Sequence, residues 1–189
     1  MRIRPKNTVF PLVICCGLAL LRVSFLASAT LNTPPFFADN QTGSPPITVS
    51  APPNLSLSYP AAIQQWHNLI NDASRETGLD SNLIAAVMLQ ESAGDPDAYS
   101  SSGAVGLMQV MPRDGLASGF LCGGQPCFAG RPSMQELWEP DFNIRFGARL
   151  LARLIDLHGS LRAGLKAYGP MDMDFAYADR VLEIYESHR

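Results

Sequence analysis

Apolar residues recur at helical spacing through the last two thirds of the chain, and this periodicity predicts most of its elements. Ile63, Trp66, Leu69, Ile70 and Ala73 make one stripe, opened by Pro60 in a first-turn position and closed by Gly78. A second helix is expected over 81–92, capped by Asp80 or Ser81, with Ile84, Val87, Met88 and Glu91 on one stripe. Residues 103–111 suggest a tight turn and a short helix, stopped by Pro112. Pro140 opens the longest helix, 140–158, which turns Leu150, Leu151, Leu154 and Ile155 inward and stops at Gly159. Two more helices follow, over 160–168 and 175–187, the latter carrying Ala178, Val181, Leu182 and Tyr185 at the right spacing. No segment has the period of a strand, so the expected domain is mostly α-helical with little or no sheet.

The first 58 residues break this pattern. Arg2, Arg4 and Lys6 precede an apolar run over 9–21, interrupted by Arg22 and resumed over 23–26, and Ala27-Ser28-Ala29 has the small-x-small form of a signal-peptidase site. Residues 1–29 therefore read as a signal peptide or as an uncleaved membrane anchor, since ~20 residues suffice for a crossing. Arg22 within the span argues for the signal. Lipid attachment at Cys15 or Cys16 lacks the small residue expected before the modified cysteine. Under either reading the basic flank stays inside, and the rest is exported to the periplasm, the cell wall or the exterior. Residues 30–58 are rich in Pro, Ser and Thr without periodicity, which suits a flexible linker better than a proline-rich docking motif. The folded domain is expected over 59–189.

Composition narrows the classes further. A chain of 189 residues, 47% hydrophobic, suits one domain with accessories, and a net charge of −3 with no basic block beyond the first residues gives no sign of nucleic-acid binding. Cys122 and Cys127 flank the loop Gly123-Gly124-Gln125-Pro126. In an exported chain this spacing favours a disulfide over free thiols. His67, His158 and His188 offer no companion pair for a metal site, and neither metal nor cofactor is expected.

Glu91 is the main chemical candidate. On a stripe that is otherwise apolar, at the carbonyl end of a helix, its charged form is disfavoured twice, by burial and by the helix dipole. A carboxyl group kept protonated near neutrality is what a general acid needs. Read alone, the same position also suits a solvated Glu at the stripe's edge.

The ordered set Glu91-Ser92, Gly106-Leu107-Met108-Gln109, Asn143-Ile144 with Gly147, and Ala167-Tyr168 resembles the lytic transglycosylases of the goose-type lysozyme-like superfamily. The resemblance runs from about Trp66 to the C-terminus. It implies a lysozyme-like helical domain, acting as a monomer on peptidoglycan glycan strands. It also implies non-hydrolytic cleavage of the MurNAc–GlcNAc β-1,4 bond, in which the C6 hydroxyl of the muramic residue attacks its own anomeric carbon. Such intramolecular attack has a high effective molarity, so Glu91 alone serves as acid and then as base. By the same resemblance Ser92, Gly106, Met108, Gln109 and Tyr168 bind substrate. Gly106 gives close approach to a sugar, Met108 packs on its face, Gln109 supplies an amide, and Tyr168 brings its hydroxyl near Glu91 or the sugar. Ser92 bonded to its own backbone, Met108 as an ordinary core residue and Tyr168 as a plain core aromatic are the structural alternatives. Asn143 is expected to fix a helix start.

The family usually has Asn after Ala-Tyr, where this chain has Gly169. The insertion bearing Cys122 and Cys127 is also unusual and is expected to reshape one end of the cleft. Two other functions fit the same residues: a hydrolytic muramidase with Asp97 or Asp114 as second carboxylate, and a non-catalytic glycan-binding module.

Overall fold

The computed structural model describes residues 54–189. The expected signal or anchor, Cys15 and Cys16 within it, and the linker as far as residue 53 lie outside the described residues. Seven helices run through the described part: α1 (Ala61–Gln64), α2 (His67–Thr77), α3 (Ser81–Ser92), α4 (Met134–Leu137), α5 (Pro140–His158), α6 (Leu161–Tyr168) and α7 (Ala176–His188). One antiparallel hairpin, β1 (Leu121–Cys122) with β2 (Gln125–Pro126), is the entire sheet content of these residues. None of these helices is long and apolar enough to cross a membrane.

α3 lies at the centre. It packs against α2 and α7, while α5 packs against α2, α4 and α6, and α6 against α7. Leu83, Ile84, Ala85, Ala86, Val87 and Met88 are all buried. The helix is thus apolar on every face for two turns, and the single stripe read from the sequence understates its burial. Asp80 caps it by accepting from Asn82 N at 2.8 Å. Arg145 of α5 clamps α2 from outside through ion pairs to Glu76 and Asp72, and it also pairs with Asp141 on its own helix.

Three expectations change. The stripe from Ile63 to Ala73 is two helices, broken at Gln65 and Trp66, where the Trp66 indole donates to Gly94 O at 3.0 Å. Residues 103–111 contain no helix, because Gly106 at φ 72° and Gln109 at φ 45° are left-handed and interrupt any helical run. The domain also begins earlier than Tyr59. Leu55 is buried, its amide donates to Asn71 Oδ1 and the Ser56 amide to Asn82 Oδ1, so the last residues assigned to the linker belong to the fold. The disulfide between Cys122 and Cys127 is present, closing the hairpin over a turn in which Gly123 and Gly124 both have the positive φ that a two-residue connection requires.

Candidate active site

Glu91 stands in the last turn of α3, where the chain then reverses through Ala93 and Gly94, both at positive φ. Gly94 is required there, since a Cβ would meet the Ala62 carbonyl carbon at 2.8 Å. The reversal keeps the Glu91 carboxyl at the edge of the core, half-buried. Burial pushes its pKa up to about 7, and a hydrogen bond from the Tyr177 hydroxyl, 2.5 Å from Oε1, opposes that rise. Tyr177 itself is 1% exposed, and its phenol is raised far above the ordinary range by burial and by the neighbouring carboxyl.

The segment Gly106–Gln109 forms a turn held from behind by one side chain. Asn143, 1% exposed, accepts from Met108 N at 2.8 Å and donates to Val105 O at 2.9 Å and Leu137 O at 2.8 Å. Val105 and Val110 exchange backbone hydrogen bonds across the base of the same turn. Asn143 therefore builds this wall as well as sitting in the first turns of α5. At Gly106 a Cβ would lie 2.5 Å from Asn143 Nδ2 and 3.0 Å from Leu137 O. The close approach expected of this glycine is made by protein atoms.

Other candidate residues fall into place around this turn. Met108 has no exposed surface, so its side chain backs the turn instead of presenting a face to a sugar. The Ser92 hydroxyl donates to Leu107 O at 2.8 Å, which ties the end of α3 to the turn. Gln109 Nε2 donates to Ala98 O and Gly106 O, both at 3.0 Å, and its carbonyl oxygen is the polar atom it has left for a ligand. Tyr168 donates to Met108 O at 2.8 Å, so its hydroxyl supports the wall, although Glu91 still acts on it electrostatically. Gly147 lets α5 approach this corner: a Cβ there would meet Met108 Cβ at 2.6 Å and Tyr168 Oη at 3.1 Å.

The residue that contacts Glu91 directly was missed in the sequence. Tyr177 occupies the first turn of α7, beside the apolar Ala178 and Val181. Its ring covers Gly169, and any Cβ at Gly169 would fall inside the ring's van der Waals envelope. A side chain at this position requires the Tyr177 ring or the backbone to shift. A depression of about 440 Å³, lined by His158, Lys166, Gly169, Pro170, Met171 and Phe175 among others, does not include Glu91.

The acids proposed as second carboxylates have other engagements or positions. Asp114 Oδ1 accepts from Met134 N at 2.7 Å, and Asp97 is exposed in the turn after α3, where its amide donates to Asp95 Oδ1 at 2.9 Å.

The site can be set beside known proteins. The family model described as Transglycosylase SLT domain matches residues 68–172, which include Glu91, the Gly106–Gln109 turn, Asn143 and Tyr168. "Membrane-bound lytic murein transglycosylase E" of Buchnera aphidicola is 35% identical over 92 residues, covering 49% of this chain and 40% of the relative. "Membrane-bound lytic murein transglycosylase C" of Glaesserella parasuis is 30% identical over 145 residues, 76% of this chain and 39% of the relative. The chain therefore spans about two fifths of the length of these relatives. Among solved structures, an inactive mutant of the lytic transglycosylase Slt from Pseudomonas aeruginosa aligns with a TM-score of 0.49 and 27% identity, over 64% of this chain and 23% of that one. With the family model matching more than half of its residues, the chain belongs to the Transglycosylase SLT domain family.

Proposed function

We propose that the chain is a peptidoglycan lytic transglycosylase that cleaves the MurNAc–GlcNAc β-1,4 bond without water, leaving 1,6-anhydroMurNAc ends. The observation that carries this reading is the Glu91 carboxyl, held by burial at a pKa of about 7 with a single hydroxyl donor on it. At neutral pH a large fraction is protonated. In the first step that proton passes to the glycosidic oxygen, the C1–O bond breaks and the GlcNAc hydroxyl leaves. The resulting Glu91 carboxylate accepts the Tyr177 hydrogen bond and faces the oxocarbenium charge. In the second step it takes the C6 hydroxyl proton as that oxygen closes on C1, which restores the acid. No water-activating carboxylate is needed, in keeping with the positions of Asp97 and Asp114.

In this reading the Gln109 carbonyl oxygen orients the sugar, and the Met108 and Ser92 region forms the wall. The enzyme acts as a monomer on the exported side, tethered by its N-terminal segment if that segment is retained. The names of both curated relatives, membrane-bound murein enzymes, support that location.

Mass spectrometry of peptidoglycan digested by the protein tests the reaction. Anhydromuropeptides are the expected product. Reducing ends would overturn the non-hydrolytic mechanism in favour of a muramidase, and intact strands that bind without being cut would make the domain a glycan-binding module.

A further inference from the structure

Arg131 follows the disulfide hairpin, and its guanidinium carbon lies 5.8 Å from the Phe128 ring centroid and 6.0 Å from that of Phe146. Phe128 is itself braced by an edge contact with Phe120, 6.1 Å away, so the insertion that the disulfide closes supplies one of the two platforms for this cation. The other platform, Phe146, directly precedes Gly147, the point where α5 meets Met108 and Tyr168. The Arg131 charge also acts on Tyr168, whose hydroxyl supports the wall of the candidate site.

No carboxylate among the described residues pairs with Arg131, whereas Arg113, Arg145 and Arg149 each have an acidic partner. Burial lowers its pKa, Tyr168 opposes that fall, and Arg153, also without an acidic partner among the described residues, adds to it. Conversely, the Arg131 charge reaches the Tyr168 phenol, which Glu91 also influences. A guanidinium stays charged at neutral pH, and a cation drawn partly out of water with no counter-ion is an unfavourable state that a bound anion relieves. The two rings flank the guanidinium at the outer limit of cation–π range, and its planar fork suits recognition of a carboxylate.

We propose that Arg131 selects substrate by binding a carboxylate carried on the muramoyl residues of the glycan strand, beside the cleft of Glu91. This rests on the glycan-cleaving reading above. In a chain of overall negative charge, a cation without an acidic partner is a feature that attracts an acidic polymer. Two sources offer the same chemistry: the lactyl carboxylate of a strand stripped of peptide, and the carboxylates of an attached stem peptide.

Steady-state kinetics on three strands test this: peptide-bearing glycan, amidase-stripped glycan, and stripped glycan with its lactyl carboxylates converted to methylamides. Arg131→Gln is expected to raise KM about tenfold on a carboxylate-bearing strand, with kcat unchanged and no effect on the amidated strand. A rise confined to stripped glycan identifies the lactyl group, and one confined to peptide-bearing glycan identifies the stem. Arg131→Lys, which keeps the charge and loses the fork, should fall between. An equal KM for variant and wild type on all three strands, or an equal rise on the amidated one, would overturn the assignment. Should Arg131→Gln fail to fold, the wild type still decides: its KM must rise with salt on the charged strands and stay flat on the amidated strand. Absence of cleavage of any strand by the wild type would instead sink the parent reading.

Discussion

Glu91 couples function to stability through one proton. Its carboxyl titrates near 7 in the folded chain against an ordinary 4.5, so between these values the folded state holds a proton that the unfolded state has lost. The Glu91 contribution to stability is therefore greatest below about pH 4.5 and declines as pH rises to about 7, by roughly 3 kcal/mol at most for a shift of this size. Glu91→Gln cannot deliver a proton, so turnover should fall by ~10²–10⁴. The same variant should be more stable than wild type at pH 8 and equal to it at pH 4, which thermal melts at the two pH values measure. A gap that does not depend on pH would remove burial as the cause. Tyr177→Phe separates positioning from packing. The lost hydrogen bond had been lowering the Glu91 pKa, so the alkaline limb of kcat/KM should move to higher pH. kcat should also drop about tenfold, since the carboxylate formed in the first step loses its donor. An unmoved limb would leave Tyr177 a purely structural role. Glu91 was legible in the sequence because an acid ending an apolar helix violates its own pattern. Tyr177 was not, because an aromatic next to Ala178 and Val181 obeys it, and its partner is 86 residues away.

Elements differ in the same way. α5 was readable end to end, since Pro140 and Gly159 mark its limits, and α6 was placed to within one residue, Ser160 standing as its cap on Ala163 N instead of its first helical residue. Over 103–111 a tight turn and a short helix were expected; the turn is present and the helix is not, because the shape of Gly106–Gln109 is imposed by Asn143 from α5. One buried amide makes three hydrogen bonds to main-chain groups of two separate segments. Asn143→Leu fills similar space and leaves Met108 N, Val105 O and Leu137 O without that partner. Val105 O keeps its bond from Val110 N, so two groups are stranded, and at about 1–3 kcal/mol each a loss of about 2 kcal/mol or more is expected, read as a fall in urea midpoint. Activity should fall with it even in the folded fraction, because the turn carries Gln109. A variant with normal kcat and reduced stability would confine Asn143 to the fold.

At the scale of the whole chain, the boundary of the domain is set by contacts that composition hid. Residues 54–58 look like the end of a proline-rich linker, yet Leu55 is 3% exposed and its neighbours hold the beginning of α3. Ser56 N donates to Asn82 Oδ1 at 2.8 Å, Gln64 Nε2 donates to Ser56 O at 2.7 Å, and Ser58 Oγ donates to His188 O at 2.6 Å. Tyr59 then stacks on His188 at 4.5 Å, closing the N-terminal end of the domain against the end of α7. A truncation starting at Asn54 should melt like the full chain, because it keeps all of these contacts. One starting at Tyr59 loses a buried leucine and several hydrogen bonds, which in the folded chain outweigh the ordering of residues 54–58. A net loss of about 2 kcal/mol is expected, which for a domain of this size lowers Tm by several degrees. The damage falls on the first turn of α3, whereas Glu91 is nine residues farther on, about 13 Å along the helix. kcat at 25 °C should therefore match the longer form. Equal melting of the two truncations would return residues 54–58 to the linker, and a lower kcat in the shorter one would show that the clamp at Asn82 is felt along the whole of α3.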